Sequence, residues 1–291
     1  MAAEQVVSSA VAARTSATVE LLASAKRHLL TSSDTPALDA ELLLAHVTGR
    51  GRTSLIAHPQ RLVPIEKANQ FADLVARRAR GEPLAYLLGT RDFYSITLEV
   101  EAAVLVPRPE TELLVEAVIE RCAALSRPRV LDLGAGSGAI VLAVKHELAV
   151  ADVTGVDASA AALAVARRNA ARLALDVRWL ESSWFSALGA ERFDVIASNP
   201  PYVRSADVTG ALAHEPRLAL DGGDDGLDAY RALLAGAPAH LEAGGVMLLE
   251  HGAEQRDAIA GLAASSGWRV VRALDDLAGR ARVLELARSA P

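Results

Sequence analysis

The chain has 291 residues, of which 51% are hydrophobic and 23% charged, and this length predicts a larger domain accompanied by a smaller one. No uninterrupted apolar run approaches the roughly 20 residues that cross a bilayer, so a membrane-spanning protein is not expected. The formal net charge of −6 argues against a broad nucleic-acid-binding surface, because such surfaces depend on many Lys and Arg contacts.

The cysteine content and the first residues bear on the compartment. Cys122 is the only cysteine, so neither an internal disulfide nor a cysteine-based metal cluster can form, and no metal site is expected. The segment from Met1 to Gln5 has no basic cluster ahead of an apolar stretch, so no signal peptide is expected. These features favour a soluble protein of the reducing cytoplasm.

Apolar residues recur three and four positions apart from residue 16 to about residue 81, as in Val19, Leu22 and Ala25. This spacing predicts a small helical domain over residues 1–85, with residues 1–15 allowed to be disordered. The densest basic cluster of the chain lies in this domain and is interpreted as a solvated helix face. Its members are Arg77, Arg78 and Arg80.

The pattern changes between Leu87 and Val106. Residues 93–100 alternate in polarity and are rich in β-branched and aromatic types, which predicts a β-hairpin linker over residues 86–108. Pro107 and Pro109 close this segment. Helical spacing then resumes from Thr111 onward.

Beyond residue 128, short β-rich runs alternate with helical stretches, which predicts a mostly parallel sheet flanked by helices. Seven strands are expected, over residues 130–132, 153–157, 177–180, 193–198, 246–250, 268–273 and 283–287. The interval 275–282 is too short for a crossover helix, so the last strand should be antiparallel to its neighbour. Residues 109–291 are therefore expected to form an α/β domain on a seven-stranded sheet with one reversed strand.

A glycine-rich turn follows the first of these strands, in Val130-Leu131-Asp132-Leu133-Gly134-Ala135-Gly136-Ser137-Gly138. At the carboxyl edge of a sheet, such glycines let the backbone approach a ligand closely. The dinucleotide fingerprint accepts Gly or Ala at its third position, which Ala139 satisfies, so a hydride-transferring dehydrogenase remains an alternative. The shorter Gly-x-Gly-x-Gly form resembles methyltransferases.

Two further candidates follow the next two strands. Asp157 lies about 20 residues past the turn, where a carboxylate can accept hydrogen bonds from both ribose hydroxyls. It could instead cap the following helix, but Ser159 can serve as that cap. Trp184 could pack against an adenine face or belong to the core, and both roles stay open, whereas Phe185 is expected in the core.

The most informative segment is Asn199-Pro200-Pro201-Tyr202, at the end of the fourth strand. Both prolines have a fixed φ and lack an amide hydrogen, so the carbonyls around them are free to accept hydrogen bonds. The Asn199 side-chain oxygen and the Pro200 carbonyl would present two acceptors to a planar group bearing an NH2, with the Tyr202 ring over its face. The segment predicts a site for an amide or an aromatic amine, with a purely structural rigid turn as the alternative.

These motifs and three further segments resemble the peptide chain release factor glutamine-N5 methyltransferase family, also called HemK-like proteins. The further segments, in the family's order, are Leu87-Leu88-Gly89-Thr90-Arg91-Asp92-Phe93-Tyr94, Val106-Pro107-Arg108-Pro109-Glu110-Thr111-Glu112 and Glu215-Pro216-Arg217-Leu218-Ala219-Leu220. The resemblance covers nearly the whole chain from about residue 20.

The resemblance implies a helical amino-terminal domain that helps to dock the release factor, a β-hairpin linker and a Rossmann-like class I methyltransferase domain. It implies S-adenosyl-L-methionine as the cofactor, held by Gly134, Ala135, Gly136, Ser137, Gly138, Asp157, Trp184 and Asn199. The target would be the glutamine in the Gly-Gly-Gln motif of class 1 release factors, bound by Asn199, Pro200, Pro201 and Tyr202. Of these, Asn199, Pro200 and Tyr202 would act in catalysis. A monomer that binds neither nucleic acid nor membrane is expected.

The chain departs from the family pattern at two positions. Ser183 stands where relatives commonly have an acid, so no adenine contact is carried over to it, and His214 stands where an aromatic residue is usual. His251 is interpreted as a strand-end packing residue rather than a catalytic one.

Several alternative functions remain open. A glutamine methyltransferase acting on a ribosomal protein would use the same amide-binding segment. An exocyclic-amine methyltransferase of DNA or RNA would present a similar NH2 group to it. A non-catalytic cofactor-binding protein is a further alternative.

Overall fold

The computed structural model describes residues 15–289. These residues fall into two compact units that divide between Leu88 and Gly89. The disorder allowed for residues 1–15 concerns positions that, apart from Thr15, lie outside the described residues. No helix within residues 15–289 combines the length and the apolar composition needed to cross a membrane.

The first unit is mainly helical, as the sequence predicts. Its helices are α1 (Thr18–Leu29), α2 (Pro36–Thr48), α3 (Arg52–Ala57), α4 (Ile65–Ala79) and α5 (Leu84–Leu88). Their apolar stripes enclose a core that includes Leu29, Leu43 and Phe71. A short antiparallel pair, β1 (Thr15–Ala17) and β2 (Leu62–Pro64), was not predicted, because three-residue strands are too short to show alternation.

A buried carboxylate ties α2 to α4. Asp39 is only 2% exposed and accepts hydrogen bonds from the hydroxyls of Ser33 and Thr35 at 2.7 and 3.0 Å. Arg78 donates to the same carboxylate at 2.7 Å, and Arg77 pairs with Glu82. The prediction that this basic cluster is a solvated face is therefore wrong for Arg78, whose side chain is mostly buried against Asp39.

The second unit begins with the predicted hairpin, formed by β3 (Thr90–Phe93) and β4 (Ile96–Glu99). The side chain of Asn169 fastens the hairpin to the rest of this unit. Its oxygen accepts from the Glu99 amide at 2.7 Å, and its nitrogen donates to the Glu99 carbonyl at 3.0 Å. The same nitrogen donates to the Ser137 carbonyl at 3.0 Å, so one buried amide joins the hairpin to the glycine turn.

The predicted seven-stranded sheet is confirmed, and its order is β10-β11-β9-β8-β5-β6-β7. The strands are β5 (Arg129–Leu133), β6 (Asp152–Asp157), β7 (Arg178–Glu181), β8 (Phe193–Ser198), β9 (Leu241–Glu250), β10 (Trp268–Asp275) and β11 (Ala281–Arg288). β11 pairs antiparallel with both neighbours, and the other pairings are parallel. The short turn between β10 and β11 reverses the last strand, as predicted.

Helices and two apolar clusters sandwich this sheet. The helices are α6 (Glu112–Cys122), α7 (Ala139–Glu147), α8 (Ala160–Leu173), α9 (Asp228–Gly236) and α10 (Arg256–Ser265). One cluster contains Leu114 and Val141, and the other contains Tyr230 and Trp268. Because central strands of a parallel sheet are buried on both faces, β5 is buried from Val130 to Leu133. Polar functional groups are therefore expected at the ends of the parallel strands rather than within them.

Candidate active site

A cavity of about 350 Å³ opens at the carboxyl edge of the sheet. It is lined by residues at or just after the ends of β5, β6, β7 and β8, by residues of the segments 103–105 and 216–221, and by Asp228 and Ala229 at the start of α9. Of the predicted site residues, the structure brings Gly134, Gly136, Asp157, Trp184, Asn199 and Pro201 to its wall. The convergence follows from topology, since parallel strands end at the same edge.

The glycine turn follows β5 in a backbone conformation that favours glycine. Gly134, Gly136 and Gly138 have φ of +81°, +55° and +84°, where a Cβ would be strained. The amides of Gly134 and Ala135 both donate to the Val156 carbonyl at 2.9 Å. The turn is thus held against β6, with Gly134 and Gly136 facing the cavity.

Asp157 ends β6, and backbone amides fix its carboxylate. One oxygen accepts from the Gly136 amide and the other from the Ser159 amide, each at 2.8 Å. The Ser159 hydroxyl accepts from the Ala162 amide at 3.2 Å and so caps α8. Asp157 is therefore not needed as the cap, and its carboxylate lies at the cavity wall.

Asp132 is a further ionisable group close to the turn, and sequence reasoning assigned it no role. It is fully buried in β5. Burial raises the pKa of its carboxyl to about 8, and the charge of Asp157 acts in the same direction. The signal in the sequence was an acid between the apolar residues Leu131 and Leu133, two positions before the first glycine of the turn.

The two aromatic residues after β7 have different surroundings. Trp184 is half-buried at a φ of +49° and lines the cavity, and it also packs against the core. Phe185 stacks on the His240 ring, with centroids 5.0 Å apart and planes 7° from parallel. The structure therefore places Phe185 in packing, as predicted, and Trp184 at the wall.

A second wall of the cavity comes from two segments that sequence reasoning left without a site role. One contains Val104 and Leu105, and the other contains Pro216 and Leu218. The buried Glu215 carboxylate joins them, because it accepts from the Val106 amide at 3.0 Å and also pairs with Arg108. Pro216 and Leu218 belong to one of the family-like segments, whereas Val104 and Leu105 lie just before another.

Asn199 directly follows β8 and lines the cavity. The Ser198 hydroxyl donates to the Leu133 carbonyl at 2.6 Å and fastens β8 to β5 beside it. The Asn199 side-chain nitrogen donates to the Thr111 hydroxyl at 3.2 Å. Because the nitrogen is engaged, the side-chain oxygen is the end available for a ligand.

The other residues of the segment differ in exposure. Pro201 lines the cavity, whereas Pro200 is buried and Tyr202 is half-buried against the core. The Tyr202 carbonyl accepts from the Gln255 side chain at 3.1 Å, and burial raises the pKa of its hydroxyl to about 12. Pro200 and Tyr202 are not part of the cavity wall, so their assigned roles remain predictions.

The remaining predicted positions lie close by without forming the wall. Ala135, Ser137 and Gly138 are buried in the turn, and they shape it rather than line the cavity. Ser183 is at the wall, whereas His214 is exposed and away from it. His251 is fully buried, its Nδ1 donates to the Gly252 carbonyl at 2.8 Å, and burial lowers its pKa. A packing role for His251 agrees with this placement.

A parallel sheet with one reversed strand, a glycine turn after β5 and an acid after β6 define the class I methyltransferase fold. Two family models match the chain: the PrmC N-terminal domain over residues 20–89 and the methyltransferase small domain over residues 109–217.

Curated relatives match over most of the chain. A release factor glutamine methyltransferase of Bordetella pertussis is 45% identical over 88% of this chain and 97% of its own length. Proteins of the same name from Salmonella typhimurium and Xylella fastidiosa are 43% and 46% identical, over 87% and 84% of this chain and 93% and 91% of their own lengths. The chain belongs to the release factor glutamine methyltransferase family.

Proposed function

We propose that this chain transfers the methyl group of S-adenosyl-L-methionine to the N5 amide nitrogen of the glutamine in the Gly-Gly-Gln motif of class 1 release factors. The observation that carries the proposal is the position of Asn199 and Pro201 at the wall of one cavity with the glycine turn and Asp157. Relatives that bear the name release factor glutamine methyltransferase, at 43–46% identity, support this substrate over a ribosomal protein or a nucleic acid.

The residues around the cavity fit the cofactor. The volume of about 350 Å³ lies within the roughly 300–1,000 Å³ typical of small-molecule sites. Asp157 has a fixed carboxylate that can accept from ribose hydroxyls, and Gly134 and Gly136 leave the backbone open to close approach. Trp184 and Leu105 supply apolar surface for a base. When bound, S-adenosyl-L-methionine supplies an electrophilic methyl group on a sulfonium sulfur.

The protein's part in the reaction is to hold and orient the target amide. An amide nitrogen is a weak nucleophile because its lone pair is delocalised. The Asn199 side-chain oxygen and the Pro200 carbonyl would accept from the two N–H groups and so turn the lone pair toward the methyl donor. The Tyr202 ring would cover the amide face. The extra proton leaves the nitrogen after transfer, so no dedicated general base is required.

The domain roles are part of the same proposal. Residues 1–85 would help to dock the release factor, residues 86–108 would act as the linker and residues 109–291 would carry the reaction. The net charge of −6 and the pairing of Arg77 with Glu82 and Arg78 with Asp39 support a protein substrate over direct nucleic-acid binding. A cytoplasmic monomer agrees with a substrate that works in translation.

The decisive experiment is incubation of the purified chain with labelled S-adenosyl-L-methionine and purified class 1 release factors. The matched control substrate carries Asn in place of the glutamine in the Gly-Gly-Gln loop. We expect label only on the native loop, and mass spectrometry should place one methyl group on the glutamine side chain. Equal labelling of both loops, or labelling only of ribosomal protein or nucleic acid, would overturn the proposal.

A further inference from the structure

The turn between β10 and β11, residues 276–280, carries the most exposed large apolar side chain of residues 15–289. Leu277 in this turn is fully exposed, and Leu218 at the cavity wall comes next at 63%. A single exposed leucine is common on a protein surface and by itself indicates nothing. The place of Leu277 in the fold and the bonds that hold its turn give its exposure a meaning.

The β10–β11 turn lies at the carboxyl edge of the sheet, where the cavity opens. β9 runs parallel to β8, β11 runs antiparallel to β9, and β10 runs antiparallel to β11. β10 therefore ends at the same edge as β8, and the turn that follows it projects from that edge. One strand, β9, lies between β8 and β11, so roughly 10 Å separate β8 from β11 at a spacing of about 4.8 Å per strand.

Ion pairs connect the β10–β11 turn to the segment that holds Asn199. Asp276 pairs with Arg282 at 3.0 Å, and Arg282 lies 3.8 Å from Glu110. The residue after Glu110 is Thr111, whose hydroxyl accepts from the Asn199 side chain at 3.2 Å. The β10–β11 turn therefore has a defined position relative to the proposed site of the target amide.

Asp276 also fixes the shape of the turn. Its carboxylate accepts from the amides of Ala278 and Arg280, each at 2.9 Å, and its own amide donates to the Arg280 carbonyl at 2.8 Å. Leu277 lies between these anchored positions. Its backbone is therefore held in place before any partner binds, which lowers the ordering cost of a contact made by its side chain.

We propose that Leu277 belongs to the surface that docks the release factor, and that it enters an apolar recess of that protein while the target glutamine enters the cavity. The inference rests on the proposed function, because it takes the release factor as the substrate. The two acids before Leu277 are both paired with arginines, so no unpaired carboxylate adjoins the apolar tip. The pairs are Asp275 with Arg256 and Asp276 with Arg282. Such a tip fits a recess on a folded protein rather than a phosphate backbone.

The size of a protein interface places the β10–β11 turn inside the docked area. A stable interface buries roughly 800 Å² on each partner, which corresponds to a patch roughly 30 Å across. The lateral distance from β8 to β11 is only roughly 10 Å. A folded protein that brings a glutamine to Asn199 therefore also covers Leu277, and a fully exposed leucine becomes buried when the complex forms.

The test measures how substitutions of Leu277 in the full-length chain change KM and kcat for an intact release factor. Leu277→Ala should raise KM roughly 5- to 20-fold, because most of the apolar burial is lost. Leu277→Glu should raise it roughly 20- to 200-fold, because a carboxylate would enter the recess. Leu277→Met keeps an apolar side chain of similar volume and should stay within about threefold. In each variant, kcat at saturating release factor and cofactor affinity should change less than about twofold.

Val150→Glu is the matched control for the introduced charge. Val150 is 61% exposed, nearly as much as Leu218, but it lies between α7 and the start of β6, at the opposite edge of the sheet. A release factor docked over the cavity does not reach that edge. Val150→Glu should therefore leave KM within about twofold of the wild-type value, as a surface substitution remote from the partner does.

A readout without turnover uses a single exposed thiol. Cys122 is the only cysteine and is buried, so Leu277→Cys and Val150→Cys each provide one accessible thiol. The release factor is added at saturation, with Asn in place of the target glutamine. It should slow maleimide labelling of Leu277→Cys roughly tenfold, because a covered thiol reacts little, and it should leave labelling of Val150→Cys unchanged. Mass spectrometry follows both reactions.

Each outcome has a distinct meaning. If the wild-type chain does not methylate the release factor, the proposed function is wrong and the docking role falls with it. If it does, but Leu277→Glu keeps the wild-type KM or the release factor leaves Leu277→Cys unprotected, the docking role alone is wrong. Protection of Leu277→Cys at high enzyme concentration without release factor would assign the tip to a contact between two copies of this chain and overturn the proposal. A raised KM with unchanged kcat, and protection confined to Leu277→Cys, supports it.

Discussion

The glycine turn after β5 and the segment 199–202 after β8 lie at the same edge of one sheet, yet they are held in different ways. The turn is fixed mainly through its own backbone, which has positive φ values and amides that donate to the Val156 carbonyl and the Asp157 carboxylate. The Asn199 side chain is fixed by the hydroxyl of Thr111, 88 residues away in the chain. A local motif can thus specify the first element, whereas the second depends on partners that no local motif contains.

The largest effect on the rate of methyl transfer should come from removing the side-chain acceptor of Asn199. Asn199→Ala leaves the glycine turn intact, so we expect methyl transfer to fall by roughly 10²- to 10³-fold, as for loss of one preorganised polar group. Cofactor affinity should fall less than about tenfold. Single-turnover rates and a cofactor titration on the same preparation measure the two effects. If Asn199→Ala lost cofactor affinity but kept its rate of methyl transfer, Asn199 would act in cofactor binding and not in holding the target amide.

Among the residues that contact the glycine turn, Asp157 should have the largest effect on cofactor affinity. Asp157→Ala removes a carboxylate held by two amides, and we expect cofactor affinity to fall about 10- to 100-fold, since hydrogen bonds to charged groups are worth roughly 1.5–3 kcal/mol. The rate at saturating cofactor should change much less. Asp157→Asn keeps one acceptor oxygen and should lose less affinity. Isothermal titration decides, and unchanged affinity in Asp157→Ala would remove this residue from the site.

Alanine substitutions at two glycines of the turn distinguish the cost of backbone strain from the cost of steric overlap. A Cβ at Gly138 would lie 2.9 Å from the Trp179 ring, so Gly138→Ala should lose about 2–4 kcal/mol of unfolding free energy from backbone strain and overpacking. A Cβ at Gly136 meets nothing within 4 Å, so Gly136→Ala should lose only about 1–2 kcal/mol but should weaken cofactor binding. Urea denaturation and titration test the pair. Equal losses of stability would contradict the packing argument.

The smallest effect is expected at Tyr202. The proposed role uses the ring face, and the raised pKa of about 12 keeps the hydroxyl neutral at physiological pH. Tyr202→Phe should therefore retain the rate to within about threefold, because a single neutral hydrogen bond contributes roughly 0.5–1.5 kcal/mol. Tyr202→Ala is the matched comparison and should lose more. Steady-state rates on a release factor measure both, and a large loss in Tyr202→Phe would assign a role to the hydroxyl.

Much of the fold could be predicted because its signals are local. Each strand of the seven-stranded sheet carries its own run of β-branched and apolar residues, and the short interval 275–282 reveals the reversal of β11. The sheet of β1 and β2 gave no such signal, since each strand has three residues. The pairing of Arg78 with Asp39 was missed because it joins residues 39 positions apart.

The residues of the candidate site also fall into those with a local sequence signal and those whose position depends on distant parts of the chain. Positions at strand ends, such as Gly134, Asp157 and Asn199, could be placed at one edge from topology alone, and the structure brings all three to the cavity. Leu218 and Val104 could not be placed, because their approach depends on the fold of loops outside the sheet. Thr111, which accepts a hydrogen bond from the Asn199 side chain, had no distinguishing pattern, since a single hydroxyl becomes informative only through its neighbours.

The Glu215 carboxylate has a consequence for the order in which the protein matures. It accepts from the amide of Val106, 109 residues earlier in the chain, and it pairs with Arg108, so it joins the two wall segments. During synthesis the hairpin and the glycine turn leave the ribosome long before Glu215 does, and contacts of such long sequence separation form slowly. The nascent domain would acquire its cofactor only late, and ligand binding would then stabilise finished chains over partly made ones.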